Sequence, residues 1–294
     1  MLDSKIQTFL SVCRYMNFTK ASQALNITQP AVSQHIRHLE EEYGVKLFEY
    51  RSRKLYLTPA GRQLYQAALT MQHDEKILAQ RMKTAGQEGR TLSFGITMSV
   101  SLSSFPTRLA SCLKAQPGLG LRLHVANTQE LLKQIDGGKI DFAVVEGYFP
   151  RTEYEFRPYS LEPFSGVCRP DYAFLCGHEP ASLQDILQEP LLTREEGSGT
   201  REILERYLAG SNLSVADFPH ILEINSMPVI CRLALEGCGI AFLYQVCVRR
   251  ELAEGSLRLL SLPGLDTCHE FSFIWRKNSI YREEFERLFA RLCG

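Results

Sequence analysis

The sequence predicts a multidomain α+β chain in which a small helical amino-terminal module, a long connecting helix and a larger α/β module follow one another. Three observations carry this. Charge is uneven: 33 Lys+Arg balance 33 Asp+Glu over 294 residues, yet residues 1–62 hold nine bases against five acids, net +4, which leaves −4 for the remainder. Helix-breaking residues vanish between Gly61 and Gly86. Beyond residue 91 short apolar runs alternate with helical stretches, the pattern of mostly parallel strands covered by helices. At 45% hydrophobic and 22% charged residues, the composition is that of an ordinary globular protein of about two domains and excludes a disordered chain.

The zero net charge argues against a general polycationic nucleic-acid binder, whereas the asymmetry points to one nucleic-acid- or membrane-facing segment. Met1-Leu2-Asp3-Ser4-Lys5 does not lead from a basic segment into an apolar run, so no signal peptide is expected. No apolar stretch approaches the ~18 residues of a membrane span. The nine cysteines are scattered and never spaced CxxC, as expected for reduced, mostly buried thiols of a cytoplasmic protein.

Taking the elements in order, Ile6, Phe9, Leu10 and Cys13 recur at i, i+3, i+4, i+7 and form the buried stripe of a first helix. A second helix is expected from an N-cap at Thr19, burying Ala21, Ala24 and Leu25. Asn26 suits the left-handed exit of a tight turn, Thr28 caps a third helix, and Pro30 sits in its first turn. Two short helices joined this closely make a helix-turn-helix. On the third helix Val32, Ile36 and Leu39 face inward, and Pro30, Ser33, Gln34 and Arg37 face outward. With Gln29, that outer face offers hydrogen-bonding groups where a merely solvated helix carries Glu and Lys. Gln pairs with adenine and Arg with guanine in the major groove. His35, His38 and Glu42 share a helix, but nothing else clusters with them, so no metal site is expected. Alternation around Tyr56 then predicts a β-hairpin with the basic tip Arg51-Ser52-Arg53-Lys54, placed to touch phosphates or the minor groove.

Phe18-Thr19-Lys20-Ala21-Ser22-Gln23-Ala24-Leu25, Thr28-Gln29-Pro30-Ala31-Val32-Ser33, Leu39-Glu40, Gly44, Leu47-Phe48-Glu49 and Leu57-Thr58-Pro59-Ala60-Gly61 together resemble the winged helix-turn-helix of LysR-type transcriptional regulators. The resemblance implies a DNA-binding domain over 1–58 with contacts from Thr19, Thr28, Gln29, Pro30, Ser33, Gln34, Arg37 and Arg53. Many members have Arg where Tyr50 stands, so Arg51 is the candidate for that backbone contact.

Residues 59–88 are expected to form the linker helix. Leu64, Ala68, Met71, Glu75, Leu78 and Met82 follow a heptad spacing and predict a seam between two copies, so that a dimer presents two recognition helices to dyad-related DNA sites. Gly86-Gln87-Glu88-Gly89 reads as a hinge. In 91–294, strands are expected at 92–96, 121–126, 142–145, 221–224, 239–243 and 271–275. Ligands of open α/β sheets lie beyond the carboxyl ends of strands, at helix N-termini. Thr97, Ser99, Thr128, Glu146, Ser198, Thr200, Arg201 and Ser226 fall at such exits. Simple helix capping accounts for any one of these hydroxyls, and their recurrence favours a shared pocket.

This region is similar, more loosely, to the LysR-type effector-binding domain, itself like periplasmic binding proteins. The resemblance implies two α/β lobes, 91–161 with 267–294 and 162–266, with a small-molecule effector between them. Arg201 suggests an anionic effector, and Glu146 a polar or amino-bearing group on it. Assembly into a tetramer and contact with bacterial RNA polymerase are also expected; a cofactor is not. Catalysis finds little support: Cys176-Gly177-His178 lacks a third partner, Gly237-Cys238-Gly239 lacks the rest of a dinucleotide fingerprint, and no Gly-Lys-Ser/Thr follows Gly197. A secreted solute carrier would share the cleft but not the helix-turn-helix.

Overall fold

The computed structural model describes residues 2–83, 91–265 and 267–293, so the expected hinge at 86–89 lies outside the described residues. The chain divides into two compact units. The first contains α1 (Ser4–Tyr15), α2 (Phe18–Leu25), α3 (Gln29–Tyr43), a hairpin of β1 (Phe48–Arg51) and β2 (Lys54–Leu57), and α4 (Pro59–Lys83), together with 136–139 and 276–281.

Local chemistry sets these elements. Asp3 caps α1 by accepting from the Lys5 amide, and Thr28 caps α3 by accepting from Ala31. The cap of α2 is Asn17, which accepts from Lys20, and not Thr19, which falls inside the first turn. Asn26 ends α2 at φ 54°, the left-handed exit its side chain type tolerates. Val32, Ile36 and Leu39 are buried with Phe9, Val12 and Ala21, and Phe48 and Leu55 extend that core into the hairpin. Ala24 is exposed, and α2 buries Ser22 instead. On α4, Thr70 donates to the Lys277 carbonyl at 3.0 Å, and Asp74 accepts from the Ser279 hydroxyl at 2.6 Å and the Ile280 amide at 2.9 Å. These bonds satisfy buried polar groups that would otherwise cost about 1–3 kcal/mol each.

The second unit contains β3 (Thr91–Ile96), α5 (Met98–Ser101), α6 (Phe105–Ala115), β4 (Gly120–Val125), α7 (Thr128–Asp136), β5 (Phe142–Val145), β6 (Tyr154–Cys168), α8 (Leu183–Ile186), β7 (Leu191–Thr193), α9 (Gly199–Ala209), β8 (Ile221–Glu223), α10 (Met227–Leu235), β9 (Ile240–Tyr244), α11 (Arg249–Glu254), β10 (Arg258–Leu259), β11 (Thr267–Arg276) and α12 (Arg282–Cys293). Strand order is β4-β3-β5-β11-β6-β9-β7-β8, with β10 on β6. The trio β4-β3-β5 is parallel, as is β9-β7-β8. Between them run β11 and β6, antiparallel to β5 and β9 respectively. Each trio has its own core, one around Leu131, Ile140, Ala143 and Ile274, the other around Leu192, Ile230, Ala241 and Leu243. Two α/β lobes joined through a central strand pair are the result.

Three strands were not foreseen. The 15-residue β6 carries Pro158 and Pro163, which argue against a strand in sequence; both precede the Phe164–Val167 stretch that pairs with β9, so that stretch keeps its amide donors. The other two, β7 and β10, span only three and two residues.

Candidate functional site

Two assemblies of polar side chains stand out. In the first unit, α3 and the hairpin flank a groove of about 840 Å³ lined by Thr19, Gln29, Ser33 and Arg37 from the helices and by Tyr50, Arg53, Lys54 and Tyr56 from the hairpin. Val32, Ile36 and Leu39 anchor the opposite face of α3, which fixes the rotation that turns Ser33 and Arg37 outward. The Gln29 amide donates to the Ser33 hydroxyl at 3.0 Å, so two candidate base-reading groups hold each other in place. Thr28, Pro30 and Gln34 are exposed but do not line the groove. Arg51 is tied back to Glu49 at 2.6 Å. His35 is part of the packing, its Nδ1 lying 2.9 Å from the Thr8 hydroxyl. Tyr50, 71% exposed, presents a phenol in the groove.

The hairpin tip is strained. Ser52 and Arg53 have φ of 48° and 66°, where a two-residue hairpin ordinarily takes Asn-Gly. For a non-glycine residue that conformation costs roughly 1–2 kcal/mol, and strain of this kind collects at functional positions. Arg53→Gly is therefore expected to leave thermal stability unchanged or raise it, while weakening DNA binding and reducing the slope of log affinity against log salt by about one. Melting curves and anisotropy across a salt series check both halves.

In the second unit the hydroxyls predicted at strand exits converge. Thr97 is the N-cap of α5 and Ser198 the N-cap of α9, yet neither side chain makes a capping bond. Two residues inside each helix, the Ser99 and Thr200 hydroxyls meet at 3.3 Å. Thr200 donates to Glu146 Oε1 at 2.7 Å, and Thr128 donates to the Glu146 carbonyl at 2.9 Å. Two glycines permit this approach: a Cβ on Gly147 would lie 2.6 Å from the Gly199 Cα, and one on Gly199 would lie 2.5 Å from the Glu146 carbonyl oxygen. All of these hydroxyls are buried, and Glu146 is 1% exposed. Burial pushes its carboxyl above the ordinary range, against the hydroxyls of Ser99 and Thr200 and the charge of Arg194, which pull it back. Thr97 Oγ1, Ser198 Oγ, Glu146 Oε2 and Arg194 Nη1 are buried without a hydrogen-bond partner among the described residues, and the Tyr244 hydroxyl, buried beside them, has only the Gly147 amide near its oxygen.

Arg201 does not supply a spare cation there. Its guanidinium bonds Glu205 at 2.7 Å and the Arg194 carbonyl at 3.1 Å. Ser226 is half-buried at the start of α10 and outside this hydrogen-bonded set. Sequence reasoning missed Arg194, a buried base whose Nε and Nη2 bond Glu195 at 2.8 and 3.0 Å while Nη1 has no partner. It also missed Tyr244, at the end of β9, where the apolar run ahead of it was the only signal.

A winged helix-turn-helix followed by a connecting helix and a two-lobed α/β domain defines the class of one-chain regulators that couple a DNA-reading head to a small-molecule sensor. Residues 4–62 match the family "Bacterial regulatory helix-turn-helix protein, lysR family", and residues 85–292 match "LysR substrate binding domain". The chain belongs to the LysR family of transcriptional regulators, which are DNA-binding proteins with effector-binding domains and not enzymes. Among its relatives, the HTH-type transcriptional regulator CbbR of Rhodospirillum rubrum is 30% identical over 93% of this chain and 89% of its own. The HTH-type transcriptional regulator CysL of Bacillus subtilis is 28% identical over 92% of this chain and 89% of its own. In fold, the full-length LysG of Corynebacterium glutamicum with bound effector Arg superposes with a TM-score of 0.59 at 19% identity, covering 99% of this chain and 98% of that one.

Proposed function

We propose that this protein is a one-component switch: a dimer joined through α4 sets two α3 helices on dyad-related promoter sites, and a small anionic effector between the two lobes shifts their spacing. Thr19, Gln29, Ser33, Arg37 and Arg53 are the groove contacts we favour for DNA. Thr28, Pro30 and Gln34 would reach flanking phosphates from the exposed end of α3. Assembly of dimers into a tetramer and contact with RNA polymerase complete the reading, in a cytoplasmic setting. No helix among the described residues is long and apolar enough to cross a membrane.

The observation that carries the sensor half is the set of cap hydroxyls that do not cap. A buried hydroxyl without a partner loses about 1–3 kcal/mol, and Thr97 and Ser198 both do so beside Glu146 and Thr200. A ligand supplying the missing partners stabilises one arrangement of the lobes over another, which is all that a population shift requires. Hydrogen exchange of the full chain with a metabolite that alters its DNA binding tests this. Protection is expected at 97–101, 146–148 and 197–201. A metabolite that changes DNA binding while protecting only other segments would overturn the cleft reading.

A further inference from the structure

The groups left without partners around Glu146 have a chemical bias. Thr97 and Ser198 contribute hydroxyls, Tyr244 an O–H whose oxygen faces the Gly147 amide, and Arg194 contributes Nη1, so each can donate a hydrogen bond and the only charged one among them is a cation. Glu146 Oε2 is the exception if the carboxyl is ionised. Burial opposes ionisation and outweighs the hydroxyls of Ser99 and Thr200, the Thr200 amide and the charge of Arg194, which favour it. Its bond at Oε1 comes from a neutral hydroxyl, Thr200, at 2.7 Å. The nearby guanidinium of Arg194 is already bidentate on Glu195. A buried carboxylate without an ion partner takes a proton instead, and a protonated carboxyl donates.

We propose that Glu146 is a neutral acid that donates its proton to an oxygen of a compact oxyanion, a carboxylate, sulfate or phosphate group, held also by Arg194, Thr97 and Ser198, so that effector capture and proton retention are one event. This rests on the cleft reading given above and names the chemistry of that site.

Among the groups facing Glu146, it is the one whose protonation burial favours. From α5 comes Ser99 and from α9 Thr200, neither ionisable in this range. From β9 comes Tyr244, and beyond it Cys247; burial pushes both well above their ordinary values, so both stay neutral. Beyond the end of β7 lies Arg194, bonded to Glu195. Glu195, although burial raises it, is lowered overall by bonds from Arg194 and Asn127 and stays anionic. The sign follows. A carboxyl raised by burial is raised further by a bound anion, so the ligand favours the protonated form, and affinity is highest below the pKa of Glu146. As pH rises through that value the donor is lost and a like charge appears, and affinity falls by up to about tenfold per unit.

Isothermal calorimetry on the full-length protein tests this with sulfate and acetate as probes, because neither changes charge between about pH 6 and about pH 8. Acetate and sulfate separate a carboxylate site from an inorganic one. The expected result is binding of at least one of them with proton uptake, read as heats that differ between buffers of different ionisation enthalpy, and weaker binding at the higher pH. Glu146→Gln, whose amide donates without titrating, should bind within about threefold of the wild type at the lower pH and lose the pH slope. Thr97→Val should weaken binding and keep the slope. A wild type that binds oxyanions with no proton uptake, or a Glu146→Gln variant with the same slope, overturns the assignment. Binding of methylammonium instead, lost in Glu146→Gln, also overturns it but leaves the cleft reading standing. Binding of neither class overturns both.

Discussion

Replacing Met71 and Leu78 together by glutamate is expected to lower affinity for DNA carrying two half-sites by about 100-fold or more, and to leave affinity for a single half-site unchanged. Met71, Leu78 and Met82 are 57%, 47% and 69% exposed on one side of α4, a cost that a lone helix has no reason to carry. The structure corrects the expected seam. Ala68 is buried in the first unit, packed with Leu10 and Leu69, and Glu75 accepts from the Leu2 amide at 3.2 Å, so neither is available to a second copy. The remaining stripe is Leu64, Met71, Leu78 and Met82, spaced seven, seven and four residues apart as a heptad seam requires. Two facing glutamates per helix would repel across it. With only +4 on each head, non-specific attraction to phosphate is weak, and useful affinity depends on two heads binding at once, a gain of about 10²–10⁴. Sedimentation equilibrium should show monomers. Dimers with undiminished two-site affinity would remove α4 as the interface.

The second large effect is expected at Arg37. It is an exposed base on α3 in the groove, and α3 is held rigidly by Val32, Ile36 and Leu39 beneath. A bidentate arginine-guanine pair discriminates by about 1–3 kcal/mol, so Arg37→Ala should cost roughly 5- to 150-fold per head and relax sequence preference at one position of each half-site. Lys54→Ala, at the hairpin, is the contrasting case. It should weaken binding to every sequence alike and reduce the salt slope by about one per head. Competition assays against single-base variants of one operator distinguish the two. An Arg37→Ala protein with unaltered base preference would mean that this side chain touches phosphate only.

How much of this was legible depended on how local each cause is. The α3 faces, the Asn26 exit and the Thr28 cap follow from a few neighbouring residues, and all three are found. The α2 cap was misplaced by two residues because Asn17 and Thr19 are both good cap types and only backbone geometry chooses between them. Strand β6 was hidden by Pro158 and Pro163, since nothing nearby in sequence reveals which of its residues pair. The sensor cluster was partly legible: the strand exits flagged Thr97, Ser99, Thr128, Glu146, Ser198 and Thr200, and the fold bonds Ser99, Thr128, Glu146 and Thr200 to one another. Arg194 was not, because Thr193-Arg194-Glu195-Glu196 reads as a solvated charged loop, and its burial is decided by segments far away in the chain. Arg201 misled for the opposite reason. Its partner Glu205 lies one helical turn on and neutralises it.

The most direct measurement is fluorescence anisotropy of the full-length protein on DNA from the promoter region beside its own gene, against a scrambled duplex of equal length and across a salt series. A preference of about 10³ or more for the promoter DNA is expected at physiological salt, carried by a dimer and largely lost in Arg37→Ala. Equal affinity for the two duplexes at every salt concentration, with Arg37→Ala indistinguishable from the wild type, would contradict it.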